Sequence, residues 1–433
     1  MKRKLSMLEH LIDGNIVYVV RLAGRIDEAR LREALAQVQR KHPALRALIR
    51  EEPDGLWYEE DAAGEIPLCI VERRGEDDYR REAWTEREAP FAFDLPQLRM
   101  VWLRGEAVSE LLFCTSHRIC DGMSVLVIVR EVLRALHADD ELVPYRAPTT
   151  RDVAGDYRPA RPWKRRWAAR AFNGLMRLIP SSGKPLQNHE YHLEWSAGPA
   201  RSLALRQRCK AEGVSVHAGL LVALDRALAV VLARDKVPAW IESPIDGRRG
   251  RIAALADDQL FFGGGSLKFR TGQGGDAGFW AQAREIHRSM HEQIAQETQG
   301  IPSRYHFCEM LRAPTPGQFR SFVRFGNALR MNGSWNRFAL TNLGNLDLCG
   351  DDAPFRLQDL RIYLHAFTVR VLGIVVYAIN GDVRFYYIGD EACMQPADAD
   401  ALRDRLMVEL DDAFGAGASA PAYESLSHAA AAG

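Results

Sequence analysis

The sequence lacks the spacings that mark most metal, nucleotide and nucleophile chemistries. Its seven cysteines and twelve histidines form no CxxC, no HExxH and no paired HxH, so the expectation is that no metal is bound. The glycine-rich stretch 263–265 carries no Gly-Lys-Ser/Thr, and no GxGxxG follows a strand, which disfavours nucleotide chemistry. No GxSxG elbow offers an activated serine. Charge of one sign is also missing: Lys+Arg and Asp+Glu each total 57. That balance argues against bulk nucleic-acid binding, which asks for a basic domain. No apolar run reads as a signal peptide or a membrane span. The cysteines (Cys69, Cys114, Cys120, Cys209, Cys308, Cys349, Cys393) are scattered and odd in number, as reduced thiols of a cytoplasmic protein would be.

What is present is a chain long enough for two domains, 433 residues with 47% apolar and 26% charged side chains, the balance of globular proteins. Residues 15–23 read as a strand, and Asp27 sits where an N-cap would, before Leu31, Ala34, Leu35 and Val38 at helical spacing. That helix should stop at His42-Pro43, because the residue before proline avoids helical torsions. Short apolar strands follow at 66–72 and 98–104. A buried-type strand, Leu111-Leu-Phe-Cys-Thr115, runs into His117-Arg-Ile-Cys-Asp121-Gly122. Ser124 then stands at an N-cap-like position before Val125, Ile128, Val129, Val132, Leu133 and Leu136. The hexapeptide is therefore a strand-to-helix turn, a place where rigid elements present a side chain to a cleft.

Seven prolines punctuate 141–200. This divides the chain into an N-terminal domain over 1–150, a crossover over 151–200, a C-terminal domain over 201–415 and a disordered Ala/Gly/Ser-rich tail over 416–433. Within the crossover, Trp163, Trp167, Ala171, Leu175 and Leu178 share one helical face with arginines around them. That face is either packed on the body, or it is a basic amphipathic surface over 161–179 for an acidic carrier protein or a membrane. In the second half a helix over 200–211 leads through Gly213 to Ser215, the expected cap of a long apolar helix. A strand at 238–243 ends in Pro244-Ile-Asp-Gly-Arg248-Arg249, and helices are expected at 277–296 and 396–414. Asn380-Gly381 between 372–379 and 382–388 is a hairpin signal.

A histidine after an apolar strand is usually structural. Here the surroundings favour chemistry. Histidine can take a proton near neutral pH, and Gly122 would let a substrate approach the backbone. Asp121 could hold the turn through an ion pair with a distant arginine. Cys120 beside His117 leaves a Cys–His nucleophile as an alternative. Direct transfer from an already activated acyl group needs only one base.

Ser116-His117-Arg-Ile-Cys-Asp121-Gly122-Met-Ser124 resembles the HHxxxDG motif of the condensation-domain and CoA-dependent acyltransferase superfamily. Gly24 to Arg46, with His42-Pro43, is similar to that superfamily's first helix region. Pro244-Ile-Asp-Gly-Arg248 resembles its arginine-bearing motif, and Gln259 to Arg270 the stretch that follows. Arg3 to Glu9 and Thr341-Asn342-Leu-Gly344-Asn345 most resemble the stand-alone polyketide-associated acyltransferases, the phthiocerol dimycocerosyl transferase type.

The resemblance implies an α/β protein with mixed sheets, built as two chloramphenicol-acetyltransferase-like domains in a V with the active site in a tunnel between them. It implies a donor acyl thioester on phosphopantetheine, carried by acyl carrier protein or CoA, a small-molecule or lipid acceptor, and no bound cofactor. His117 would be the catalytic base, Asp121 a structural partner of Arg248, and Gly122 the space for the thioester. Ser116, Ser124, Asn342 and Gly344 are the implied tunnel residues. Two departures qualify the match. Ser116 replaces the first histidine of the pair, and Asn342-Leu-Gly344-Asn345 stands near the place of the missing DFGWG. The second departure favours an ester-forming O-acyltransferase of secondary-metabolite or lipid biosynthesis over an amide-forming condensation enzyme of nonribosomal peptide assembly. A third reading is an inactive carrier-docking scaffold. Arg249, beside Arg248, leaves the choice of arginine open.

Overall fold

The computed structural model describes residues 2 to 428 except 6, 8, 10–13, 53–54, 139–141, 183–188, 249–251, 253–254, 262–264, 273–276, 316, 319, 322–323, 325–336, 351–352, 368–369 and 415–424. Arg249, Gly263, Gly264 and most of the tail expected at 416–433 lie outside these residues.

Two mixed sheets organise two lobes. The first runs in the order Arg356–Ala366, Gly14–Ala23, Val108–Ser116, Leu98–Arg104, Leu68–Glu72. Only its last pair is parallel. The second runs in the order Ser266–Arg270, Trp240–Pro244, Arg337–Asn345, Gly373–Ile379, Asp382–Asp390, Glu190–Ser196, Ser425–His428. A small third sheet joins Lys2–Lys4, Gly55–Glu59 and Leu48–Glu52.

Local chemistry explains most of these elements. Asp27 caps the helix Glu28–Lys41 by accepting from the Arg30 N–H at 2.9 Å, and Leu31, Ala34, Leu35 and Val38 are its buried stripe. Ser215 caps Val216–Val231 in the same way, through Ala218 N–H at 3.1 Å. Asn380 and Gly381 both take positive φ, 50° and 82°, as a tight two-residue hairpin requires. Leu111, Leu112, Phe113 and Cys114 are wholly buried, so Val108–Ser116 is covered on both faces.

Four expectations are corrected by tertiary packing. Arg356–Ala366, expected in the C-terminal domain, completes the first sheet by pairing with Gly14–Ala23. The apolar Gly14–Ala23 is buried along its length and needs a partner on each edge. Conversely Glu190–Ser196, expected in the crossover, belongs to the second sheet. Ser425–His428, expected to be disordered, pairs with the outer edge of that strand. The helix expected at 277–296 extends over Phe279–Cys308, through Pro302. Its last turns are held by Ile301 and Tyr305, which pack with Val153, Ala154, Ile252 and Leu255 in a third small core.

A buried ionic cluster ties the lobes away from the hexapeptide. Arg87, on the helix Asp78–Glu88, bonds Glu190 and His192 of the second sheet. His365 of the first sheet lies 2.8 Å from the same Glu190 carboxylate. Among the described residues no single helix is long and apolar enough to cross a membrane.

Candidate active site

The strand Val108–Ser116 stays paired on both sides to its end. Ser116 N–H donates to Gln97 O at 3.0 Å and His117 N–H to Gly14 O at 2.8 Å. The chain then turns, with Ile119 N–H returning to Ser116 O at 3.2 Å. The turn leaves the His117 ring half-buried, with Nδ1 2.8 Å from the Cys120 carbonyl oxygen. A carbonyl oxygen can only accept, so Nδ1 carries the proton and Nε2 of the neutral ring holds the basic lone pair. Burial lowers the His117 pKa from its usual 6.5, and the bond to Cys120 offsets this only in part. The ring is therefore neutral at pH 7, the state a proton acceptor needs. Cys120 does not form the alternative nucleophile: burial pushes its thiol well above the usual range and its Sγ faces Ser116 O at 3.8 Å.

Asp121 ends the turn and starts the next helix. Its carboxylate caps Gly122–Ala135 by accepting from Ser124 N–H at 2.8 Å. Arg248, from the second lobe, donates to both carboxylate oxygens at 2.9 and 3.2 Å. The same guanidinium reaches Asp246 at 2.8 Å, Gln259 O at 2.8 Å, Phe261 O at 2.9 Å and the Ser124 hydroxyl. Burial opposes the charge of Arg248, which is 2% exposed, but the Asp121 and Asp246 carboxylates outweigh it and raise its pKa. The planar fork suits this arrangement because every N–H finds an acceptor. Ser124 thus has a different place from that expected. The cap is Asp121, and Ser124 is fully buried, its hydroxyl 2.8 Å from Asp121 Oδ1 and 3.2 Å from Phe261 O.

A cavity of about 630 Å³ opens where the lobes meet. The hexapeptide contributes Asp121 and Gly122 to its wall, with Met123 beside them. The second lobe contributes His217, Ser243 to Asp246, and Thr341 to Asn345, so the expected Asn342 and Gly344 do line it. His117, Ser116 and Ser124 are not on this wall. Ser116 is only 3% exposed, which corrects its place as a tunnel residue. Gly122 is hemmed in: its carbonyl accepts from the Tyr18 hydroxyl at 3.1 Å, and a Cβ there would stand 3.0 Å from that hydroxyl. Asn342 Oδ1 accepts from Gly344 N–H at 2.9 Å, and Gly344 takes φ +79° where the strand register slips between Asn342 and Asn345.

His217 and Ser243 are cavity residues that sequence reasoning missed. His217 Nε2 and Ser243 Oγ lie 2.6 Å apart. Burial lowers the His217 pKa to about 4, so the ring is neutral at pH 7. Its Nδ1 is buried with no hydrogen-bond partner among the described residues. The two residues are 26 positions apart in different elements, and no periodicity joins them. The one available signal was Ser243 immediately before Pro244-Ile-Asp-Gly-Arg248. Among the described residues no three His, Cys, Asp or Glu side chains converge as metal ligands.

No family model matches the chain. Surfactin synthase subunit 1 of Bacillus subtilis (strain 168) is 31% identical over 156 residues, 34% of this chain. The chain spans only 4% of the length of that synthetase. Among solved structures, polyketide synthase associated protein 5 from Mycobacterium tuberculosis superposes with a TM-score of 0.65 at 16% identity, covering 95% of this chain and 98% of that one. The first condensation domain of the CDA synthetase superposes with a TM-score of 0.63 at 18% identity, covering 97% of each chain. Across nearly its whole length the protein therefore has the same two-lobed fold as polyketide synthase associated protein 5 and this condensation domain.

Proposed function

We propose that the protein is an acyltransferase that moves an acyl group from a phosphopantetheine thioester, on an acyl carrier protein or CoA, to an acceptor hydroxyl. The observation that carries this reading is the His117 tautomer: Nδ1–H is tied to the Cys120 carbonyl, so Nε2 is the basic atom of a neutral, half-buried ring. Nε2 takes the acceptor proton as the hydroxyl oxygen attacks the thioester carbonyl. The tetrahedral intermediate collapses, the C–S bond breaks, and the imidazolium returns its proton to the leaving thiolate. No acyl-enzyme is needed.

Asp121 and Arg248 hold the turn between the lobes and do not exchange protons with substrate. Gly122 keeps the cavity wall free of a side chain beside Tyr18. Ser243, Thr341 and Asn342 put polar groups on the cavity wall that can hold an acceptor. The cavity volume suits a small ligand or the end of a longer one. The test is mass spectrometry of hydroxyl acceptors incubated with acyl-CoA and acylated carrier protein. Ester formed by the native chain and lost in His117→Ala supports the reading, and equal turnover by that variant overturns it.

A second reading is amide formation, with an amine as acceptor in place of the hydroxyl. Amine acceptors in the same assay distinguish the two. Inertness toward both acceptor classes would point to a carrier-docking scaffold.

A further inference from the structure

The crossover helix Pro162–Leu178 rests on the body by the face opposite its tryptophans. Ala169 and Met176 are buried, Asn173 bridges Met310 O at 3.0 Å and Arg312 N–H at 2.6 Å, and Arg165 donates to Ser303 O at 2.7 Å. These contacts fix the helix's rotation. They leave Trp163, Trp167, Leu175 and Leu178 facing outward at 60, 66, 53 and 80% exposure. At about 100° per residue, Trp163, Trp167, Gly174 and Leu178 fall within about 60° of one another, roughly opposite Ala169 and Met176. Arg166, Arg170 and Arg177, all exposed, form a stripe within about 40° along one flank. The helix has no acidic residue, and exposed Arg158 and Arg161 precede it. The chain as a whole is electrically neutral, so this charge is local.

Two outward tryptophans and Leu178 on one crest, with exposed Leu175 at its edge, make an unusual apolar patch for a protein surface. Solvation alone gives no reason for it. We infer that this helix is a docking surface for an anionic lipid bilayer. The crest is a single convex helix, which suits a deformable, planar apolar layer better than a folded partner. Tryptophan is enriched at the headgroup level of membranes because it is apolar with a polar edge. The arginine stripe lies where it would meet anionic headgroups as the crest embeds. This inference is independent of the acyl-transfer reading and concerns where the protein works.

The test is co-sedimentation of the full chain with vesicles of phosphatidylcholine and phosphatidylglycerol in equal parts, beside vesicles of phosphatidylcholine alone. Binding is expected to the mixed vesicles, to weaken in high salt, and to be slight without the anionic lipid. Trp163→Ser with Trp167→Ser, and separately Arg166→Glu with Arg170→Glu, should each lower partitioning by about tenfold or more. All four side chains are exposed, so melting curves should match the native chain. Acyl transfer to a soluble acceptor should be unchanged, which separates failure here from failure of the proposed function. A native chain that stays in the supernatant with the mixed vesicles overturns the inference. So do variants that pellet like the native chain, or variants that lose only the capture of a purified acyl carrier protein.

Discussion

Arg248 grips both oxygens of Asp121 across 127 positions of sequence, at 2.9 and 3.2 Å, and joins the second lobe to the turn that carries His117. Asp121 is at the same time the cap of the helix that follows. One carboxylate therefore fixes the end of the turn, the start of a helix and the approach of a lobe. Removing it uncaps the helix and leaves the buried guanidinium with Asp246 but without its bidentate partner. Asp121→Ala is expected to lower the unfolding free energy by about 3 kcal/mol, measured by urea denaturation. Asp121→Asn, which keeps a cap acceptor, should lose less. An unchanged denaturation midpoint for Asp121→Ala would show the pair to be energetically idle.

His117→Ala should reduce acyl transfer roughly a hundred- to ten-thousand-fold, the range for loss of a positioned base, with melting little changed. The pH profile offers a second check. The neutral ring is the active form, and its pKa lies below 6.5. The acid limb of the native kcat/KM profile should therefore have its midpoint below pH 6.5. A midpoint above 6.5 would contradict the burial of this ring.

His217 should shape acid stability. Its ring is held neutral in the fold, with a pKa of about 4 against 6.5 for an ordinary histidine. Below pH 6.5 the unfolded chain binds the proton that the folded chain refuses, so acid favours unfolding. The stability that depends on this ring is complete above pH 6.5 and is lost progressively as pH falls toward 4. Denaturation midpoints measured across that window should decline in the native chain and decline less in His217→Asn. Parallel curves for the two proteins would exclude His217 as a source.

Gly122→Ala should impair turnover by more than it impairs stability. The added methyl would stand 3.0 Å from the Tyr18 hydroxyl and 3.8 Å from Leu343, on the cavity wall. A loss of about tenfold in kcat/KM is expected, with roughly 1 kcal/mol of destabilisation from the crowded hydroxyl. Tyr18→Phe removes that hydroxyl, so the double variant should recover part of the stability. Strictly additive losses would place the damage elsewhere.

Several features could be read one residue at a time. Asp27 and Ser215 cap helices because their side chains reach the next exposed N–H, and Asn380-Gly381 turns because both residues tolerate positive φ. The buried strand before His117 is legible for a similar reason, since a strand covered on both faces needs an unbroken apolar run. The cap of the helix after His117 was misplaced by three residues because Ser124 and Asp121 both have capping chemistry. The helix starts at Gly122, so the Ser124 N–H is the donor that needs capping and Asp121 is the residue that accepts from it.

By itself the sequence determined the strand–turn–helix that bears His117, the Asp27 and Ser215 caps, the hairpin and the motif resemblance, because these depend on neighbours a few residues apart. Tertiary structure alone decided the rest. It moved Arg356–Ala366 into the first sheet, paired His217 with Ser243 and chose which face of Pro162–Leu178 meets the body. Those outcomes depend on which buried edges and polar groups remain to be satisfied once both lobes have formed. That quantity belongs to the assembled molecule and is not written in any local pattern.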